Sequence, residues 1–481
     1  MIKKNNLNLL IMNVLNFNSY YVMLVILSLL LSIYMLILPI DYSYLAIKLV
    51  PIAYTIFILI FVNKNTVIGI GSASLIVLYF FRMCLVPLVS AYGNFYHDTD
   101  ISLYVHNFNL ACILMIIECF TVFASAKYFQ KKYRKKLINY QKNVNKNKLL
   151  TFSKNPFLYM ILYFFMSMSI VLFLKYPQLR GYFRFFFISN ELSFELLKKF
   201  EKDVSSLGPI YYIAKTLFEF TRPLLFFFIL HKILNNKKLK GKKFYSLILT
   251  GIAFAFVSGE QIHSIFVAII CIYNILINTR SKSKILKICL PACVIIFVGY
   301  GLYTFSSAGT PKMISRAIQN YFGGPVVMAT GLGVKADNPI IYFFNDIYNG
   351  SSLLVGIFGS RVSTTDLINR YVNPAAYGTF FSFIIQSKFF FEYFAPCTVV
   401  FIVKFIYKMD FDTEKFDNDF YRMVYQYISF SVSVFLIMYT FTMVVNYIIY
   451  SILGYIIIIF LDKKVRCKYN ESIGNSTHLQ C

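Results

Sequence analysis

Tryptophan is missing from the 481 residues, histidine occurs five times, and the 21 Asp and Glu are outnumbered by 47 Lys and Arg. Each shortage excludes something. Charged residues make up 14% of the chain and apolar residues 58%, whereas a soluble domain holds about a quarter charged and about half apolar. The chain therefore has too little charge to coat a water-soluble globule. Its nine cysteines do not form a framework either: Cys84, Cys112, Cys119, Cys271, Cys289, Cys293 and Cys397 fall inside apolar stretches, and Cys467 and Cys481 lie near the end. Neither a disulfide scaffold nor a thiolate metal site is implied. No cluster of His, Cys or carboxylates has ligand spacing, so no metal or other cofactor is expected. Phosphate-cradling and dinucleotide fingerprints are also missing, which leaves no sign of a nucleotide substrate.

Apolar length is abundant: the mean hydropathy is +0.63. A helix crosses a hydrocarbon core of about 30 Å with about 20 apolar residues. Stretches of that kind occur at about 20–38, 44–62, 67–90, 104–125, 156–174, 210–231, 244–257, 261–277, 285–305, 389–407, 421–440 and 442–461. The expected fold is all-α and polytopic: about twelve transmembrane helices forming one integral membrane domain over 1–481.

The net charge of +26 would suggest nucleic acid in a soluble protein, but here the basic residues gather between apolar runs. That distribution marks cytoplasmic connectors, so no nucleic-acid partner is expected. Segment 126–155 holds ten Lys or Arg and no acid; 232–243 holds six and no acid; Arg280, Lys282, Lys284 and Lys287 form a third cluster. With these inside, both termini and the tail 462–481 fall on the cytoplasmic side. The 34 residues of 244–277 would make one helix of about 51 Å, too long for a single crossing. Basic flanks at both ends require an even number of crossings. A hairpin turning at Ser258-Gly259-Glu260-Gln261 meets both conditions. The net-acidic connector 408–420 falls inside by the same count. Two long segments, 175–209 and 306–388, fall outside; loops of that length are usually functional.

Charges inside spans are costly in hydrocarbon and turn toward the bundle interior. Arg82 and Glu118 are expected to pair across the third and fourth spans, and Lys215, Glu219 and Arg222 share one helix face. Arg222 is the unmatched charge of that triad. At the 258–263 turn, Glu260 and His263 stand three apart, the spacing of one helix face. They are candidates for proton abstraction from a sugar hydroxyl, or for a packed turn. The outside segments supply Arg180 and Arg184, then Arg316, Arg361 and Arg370. A guanidinium grips phosphate through a planar fork and keeps its charge. Arginine beside Phe183, Phe185, Phe186 and Phe187 also matches an interfacial anchor that touches no substrate.

The chain resembles the Wzy-type polymerases of O-antigen and capsular polysaccharides. The resemblance covers nearly the whole length through the number of spans and the placing of two outside loops. Local cues are the Ser258-Gly259 turn, NYFGGPVVMATGL at 320–332 and NPAAYGTFFSFIIQSKFF at 373–390. Glu260 stands where the family pattern has an arginine shortly after the turn, and the second loop contains no histidine. The resemblance implies a metal-independent glycosyltransferase at the outer face of the cytoplasmic membrane. Its substrate would be an undecaprenyl-diphosphate-linked oligosaccharide, and a flippase and a chain-length regulator would be its partners alongside membrane lipids. It implies a diphosphate-binding role for Arg180, Arg184, Arg316 and Arg361, with Arg222 deeper and Glu260 or His263 as base. Two other classes fit the composition. One is a lipid-linked oligosaccharide flippase or other transporter. The other is a glycosyltransferase using a polyprenyl-phosphate sugar, with Asp41, and Asp98 or Asp100 beside it, as its outside acid.

The topology is directly testable. Reporter fusions at Lys142, Asn236 and Ser283 should signal cytoplasm, and fusions at Asn190 and Asn338 should signal the outside. An outside signal at Asn236 would undo the hairpin at 244–277.

Overall fold

The structure, a computed structural model, describes residues 21–63, 66–95, 104–143, 311–364, 366–367, 382–413, 419–438 and 441–447, with scattered helical positions between 160 and 233 and residue 270. The described residues are helices and turns, and no strand occurs among them. They run as α1 (Tyr21–Ile37), a 3-10 turn (Tyr42–Lys48) leading into α2 (Leu49–Phe61), α3 (Ile70–Phe80), α4 (Val86–Tyr92) and α5 (Phe108–Asn143). After a gap come α6 (Pro311–Phe322), α7 (Pro325–Gly333), α8 (Pro339–Gly350) and α9 (Ser352–Phe358). The last four are α10 (Phe383–Phe391), α11 (Ala395–Thr413), α12 (Asp419–Met438) and α13 (Phe441–Tyr447). Among the described residues, four stretches are long and apolar enough to cross a membrane: Tyr42–Phe61, Ile70–Tyr92, Phe108–Lys136 and Phe383–Thr413.

The spans expected at 20–38, 44–62, 67–90, 104–125, 389–407 and 421–440 coincide with helices. Those at 244–257 and 285–305, all of 261–277 but residue 270, and most of 156–174, 210–231 and 442–461 lie outside the described residues. Burial supports a lipid environment. On α5, Leu110, Ile113, Ile117 and Phe120 recur at helical spacing on the exposed face. The opposite face buries Ala111, Cys112, Met115, Glu118, Cys119 and Val122. A stripe of exposed large apolar side chains with charge turned inward is the arrangement a bilayer selects. The exposed Leu29, Leu30, Ile33, Leu36 and Ile37 of α1 extend that surface.

Helices α3 and α4 are one rod interrupted by a π-turn at Phe81–Leu85. Pro87 offers no N–H to the carbonyl four residues before it, and the turn widens just ahead of that position. The centre of the bundle is α12, packed against α3 and α11, with α11 also packed on α5. Ser429, Ser431 and Ser433 of α12 are fully buried. Ser433 donates to the carbonyl of Gly71 at 2.9 Å. A Cβ on Gly71 would fall 1.9 Å from the Ser429 hydroxyl, so only glycine permits this approach. Small residues at helix crossings are the usual route to close packing in membranes.

The first turn of α3 is capped from far along the chain. The Asp410 carboxylate, on α11, accepts from the amides of Gly71 at 3.2 Å and Ser72 at 2.8 Å. It also accepts from the Ser429 hydroxyl at 2.6 Å. An acid here satisfies orphan N–H groups and complements the positive helix end. This differs from the sequence reading, in which Asp410 belongs to the net-acidic connector 408–420 on the inner side. Helix α11 continues through Thr413, and Asp410 is buried. Around it, Tyr407 donates to the carbonyl of Thr66 at 2.9 Å, and the rings of Tyr133 and Phe411 lie 5.5 Å apart. The start of 408–420 therefore sits at the same end of the bundle as the basic half of α5.

Because Asp410 joins three helices, Asp410→Ala should lower stability in detergent by about 2–3 kcal/mol, the sum of a lost cap and buried charge-assisted hydrogen bonds. Asp410→Asn, whose amide oxygen still accepts one N–H, should cost less. Thermal unfolding of the purified variants measures both.

Candidate functional site

Among the described residues, the two completely buried charges form one cluster. Arg82, in the π-turn, meets Glu118 of α5 with Nη2 2.8 Å from Oε2 and donates from Nη1 to Oε1 at 3.3 Å. The Tyr79 hydroxyl donates to the same Oε1 at 3.0 Å. Both charged side chains are fully buried, as the expected cross-span pair requires. Arg82 also points Nη2 at the sulfur of Met328, 3.1 Å away, which brings α7 onto the pair.

That contact alters the picture of the second long loop. Its described part is mostly helical, and α6 and α7 enter the bundle. Helix α6 packs along α4, and Phe322 at its end stacks on Phe81 at 5.9 Å. The chain then turns at Gly323-Gly324. Gly323 has φ +53, and a Cβ there would fall 2.9 Å from that of Ser382. A Cβ on Gly324 would meet Val86 at 2.8 Å. Pro325 opens α7, where a missing N–H costs nothing. Gln319 of α6 accepts from the amide of Val326 at 3.1 Å and donates to Ser315 at 3.0 Å, tying the two short helices together. Val326, Val327, Met328 and Ala329 are fully buried. The string at 320–332 is thus a buried helix–turn–helix tip with Met328 lying on Arg82. Arg316 is half-buried on α6.

Further along, α8 clamps the segment that carries Arg361. Asn349 accepts from the Arg361 amide at 2.9 Å and donates to its carbonyl at 2.6 Å. Asn345 donates to the carbonyl of Val362 at 2.9 Å, and Asp346 accepts from the Thr364 amide at 2.9 Å. The Arg361 guanidinium lies over the Tyr348 ring, 4.3 Å from its centroid. Stacking fixes the plane of the fork while its N–H edges stay open to solvent. Ile340, Ile341 and Phe344 of α8, and Phe358 just before Arg361, are exposed. A fixed cation therefore stands beside an uncovered apolar surface. Burial pushes the Asp346 carboxyl above the ordinary range; the Thr364 amide and the neighbouring Thr364 and Thr442 hydroxyls pull it down, and Asp366 pushes it up.

Of the sequence-derived candidates, the structure places Arg316 and Arg361. Arg180, Arg184, Arg222, Glu260 and His263 lie outside the described residues, as do Lys215, Glu219, Arg370, Asp98 and Asp100. Asp41 is exposed, just ahead of the 3-10 turn. Sequence reasoning missed Asp346, Asp410 and Met328. The signal for the two acids was weak: each is a single carboxylate in a strongly aromatic stretch, YFFNDIY and KFIYKMDF. Compared with protein-family models, curated proteins and solved structures, the chain matches none.

The buried pair predicts strong non-additivity. Arg82→Met or Glu118→Gln alone leaves an uncompensated buried charge and should cost about 3–5 kcal/mol. Arg82→Met combined with Glu118→Met should recover most of that loss, with the Tyr79 hydroxyl left lacking its acceptor. Monodisperse yield and unfolding temperature of the three variants in detergent provide the check.

Proposed function

We propose that this chain is a polysaccharide polymerase of about twelve spans in the cytoplasmic membrane, with both termini inside. It would join polyprenyl-diphosphate-linked oligosaccharide repeats, of O-antigen or capsule, at the outer face. The observation that carries this reading is Arg361, stacked on Tyr348 in a segment that three side chains of α8 hold, beside an exposed apolar surface. A polyprenyl diphosphate presents the complementary pair: a dianionic head and an apolar tail. In the transfer a sugar hydroxyl of one repeat attacks the anomeric carbon of the other glycan. The anomeric C–O bond breaks, and the diphosphate leaves with the bonding electrons. Fixed arginines aimed at the leaving oxygens lower the barrier because their charge needs no reorganisation. Arg361 and Arg316 would do this with Arg180 and Arg184; Arg222 would stand deeper, and Glu260 or His263 would take the hydroxyl proton. A flippase delivering the substrate and a chain-length regulator are the natural partners of such a step.

A second reading has an observation of its own. The turn at Gly323-Gly324 packs against Phe81 and Val86, in the interior of the Ile70–Tyr92 rod, beside the π-turn. Broken helices at that depth are a feature of transporters and of flippases for lipid-linked sugars. Glycan analysis of a deletion strain separates the two: single capped repeats for a polymerase, no exported repeat for a flippase.

The arginines test the mechanism. Arg361→Ala and Arg316→Ala should abolish long chains while the protein still inserts. Arg→Lys at either position should lower the polymerisation rate by about 10²–10³-fold, equivalent to about 3–4 kcal/mol, because a bidentate contact becomes a point contact. An interfacial anchor tolerates lysine, which snorkels equally well. Wild-type chain lengths in both Arg→Lys variants at matched expression would overturn the assignment.

A further inference from the structure

Helices α8 and α9 leave apolar faces bare. On α8, Ile340, Ile341 and Phe344 are exposed together, and on α9 Leu354, Ile357 and Phe358 repeat the pattern at helical spacing. From Pro339 to Ser360 the chain carries a single charged residue, Asp346, and its side chain is buried. A surface that docks a soluble partner has a polar rim. Here the exposed positions of both helices are apolar, and the first cation beyond them is Arg361.

The place of α8 in the bundle shows what covers it. Its Phe343 ring lies 5.4 Å from Phe390 and 5.1 Å from Phe391, at the end of α10, and 5.2 Å from Phe441 of α13. Just beyond Phe391 the chain reverses through Glu392–Phe394. Glu392 has φ +45, and the hydroxyls of Ser387 on α10 and Thr398 on α11 lie 2.8 Å apart. Tyr393 and Phe394 are 86% and 73% exposed on this turn. Asp410 marks the opposite end of the bundle, beside the basic half of α5. From Ala395 to Asp410, α11 rises about 22 Å. The turn, with α8 next to it, therefore stands near the far boundary of a hydrocarbon layer of about 30 Å. Exposed tyrosines and basic residues mark such a boundary. Lys388 lies over Tyr393 at 4.8 Å and Arg361 over Tyr348 at 4.3 Å.

We propose that α8 and α9 are an interfacial helix pair, sunk into the leaflet opposite the basic half of α5. Ile340, Ile341, Phe344, Ile357 and Phe358 lie among phospholipid acyl chains, and Arg361 stands at the level of the lipid phosphates. Helices of this kind bury their apolar face about 5–10 Å below the head groups. The proposal rests on the membrane reading of the bundle and not on glycosyl transfer. For a polymerase it adds a route: a polyprenyl diphosphate reaches Arg361 by lateral diffusion, with its tail never leaving the bilayer.

The lack of tryptophan in the chain supplies the test. Full-length Phe344→Trp and Phe358→Trp are placed in phosphatidylcholine nanodiscs, with Ile113→Trp on the exposed face of α5 as reference. The lipid is either plain or brominated near the head-group end of its acyl chains, and iodide serves as the quencher in water. In brominated lipid, both loop variants should lose at least about half the fraction of emission that Ile113→Trp loses, and iodide should have little effect. Quenching by iodide alone would put these faces in water and overturn the proposal. Quenching by neither agent would mean that protein covers them, a second copy included, and would overturn it too. If brominated lipid left Ile113→Trp untouched as well, the membrane reading would fall with the proposal. No substrate enters the measurement, so failure of the polymerase reading leaves its outcome unchanged.

Discussion

The bundle depends on one carboxylate. Asp410 ends a chain of apolar turns on α11 and reaches the amide groups opening α3, while a serine of α12 donates to it. In water a helix start finds partners anywhere; in an apolar bundle an uncapped first turn has none, and each orphan N–H costs several kcal/mol. Fixing α3 against α11 and α12 sets the height of the π-turn, and hence the height of Arg82 opposite Glu118. It also sets Phe81 and Val86 as the seat for the Gly323-Gly324 turn. Cap, ion pair and inserted tip are stacked along one rod.

That stacking shows how polar chemistry is housed in an apolar interior. Arg82 and Glu118 neutralise each other, and Tyr79 fills a third valence. Buried serines return their protons to carbonyls one turn back on their own helices, as Ser74 does to Gly71 and Ser90 to Val86. Glycine is used where a neighbouring helix's side chain needs the room rather than for flexibility: Gly71 beneath Ser429, Gly324 beneath Val86. In lipid there is little hydrophobic gain in bringing helices together, so close approach and internal hydrogen bonds carry the specificity.

The helices were legible where one physical constraint governs. Apolar length predicts α1 to α5 and α11 because crossing hydrocarbon requires it, and Pro325 and Pro339 mark helix starts because their missing N–H is harmless there. The inward turn of Arg82 and Glu118 followed from the cost of charge alone. Asp410 was not legible: its partners at Gly71 and Ser72 lie 339 and 338 residues away, and nothing local distinguishes it from its neighbour Asp412. Nor was the burial of α7, whose nine residues are too few to cross a bilayer. Arg361 was readable as a cation, but its value lies in Asn345, Asp346 and Asn349, polar residues that the sequence presents as an ordinary loop.

Helix α5 is a single unbroken element of 36 residues, Phe108–Asn143. At about 1.5 Å per residue it measures about 54 Å, so about 24 Å stands beyond a hydrocarbon layer of about 30 Å. The protruding part carries Lys127, Lys131, Lys132, Arg134, Lys135 and Lys136. Such a rod behaves as a lever. Its fulcrum is the Glu118–Arg82 pair, about 15 Å from the start of the helix and so at the bilayer centre, and a tilt of about 10° about that point would swing the far tip by about 7 Å. Anything that binds the basic tip thereby applies torque at the buried Glu118–Arg82 pair.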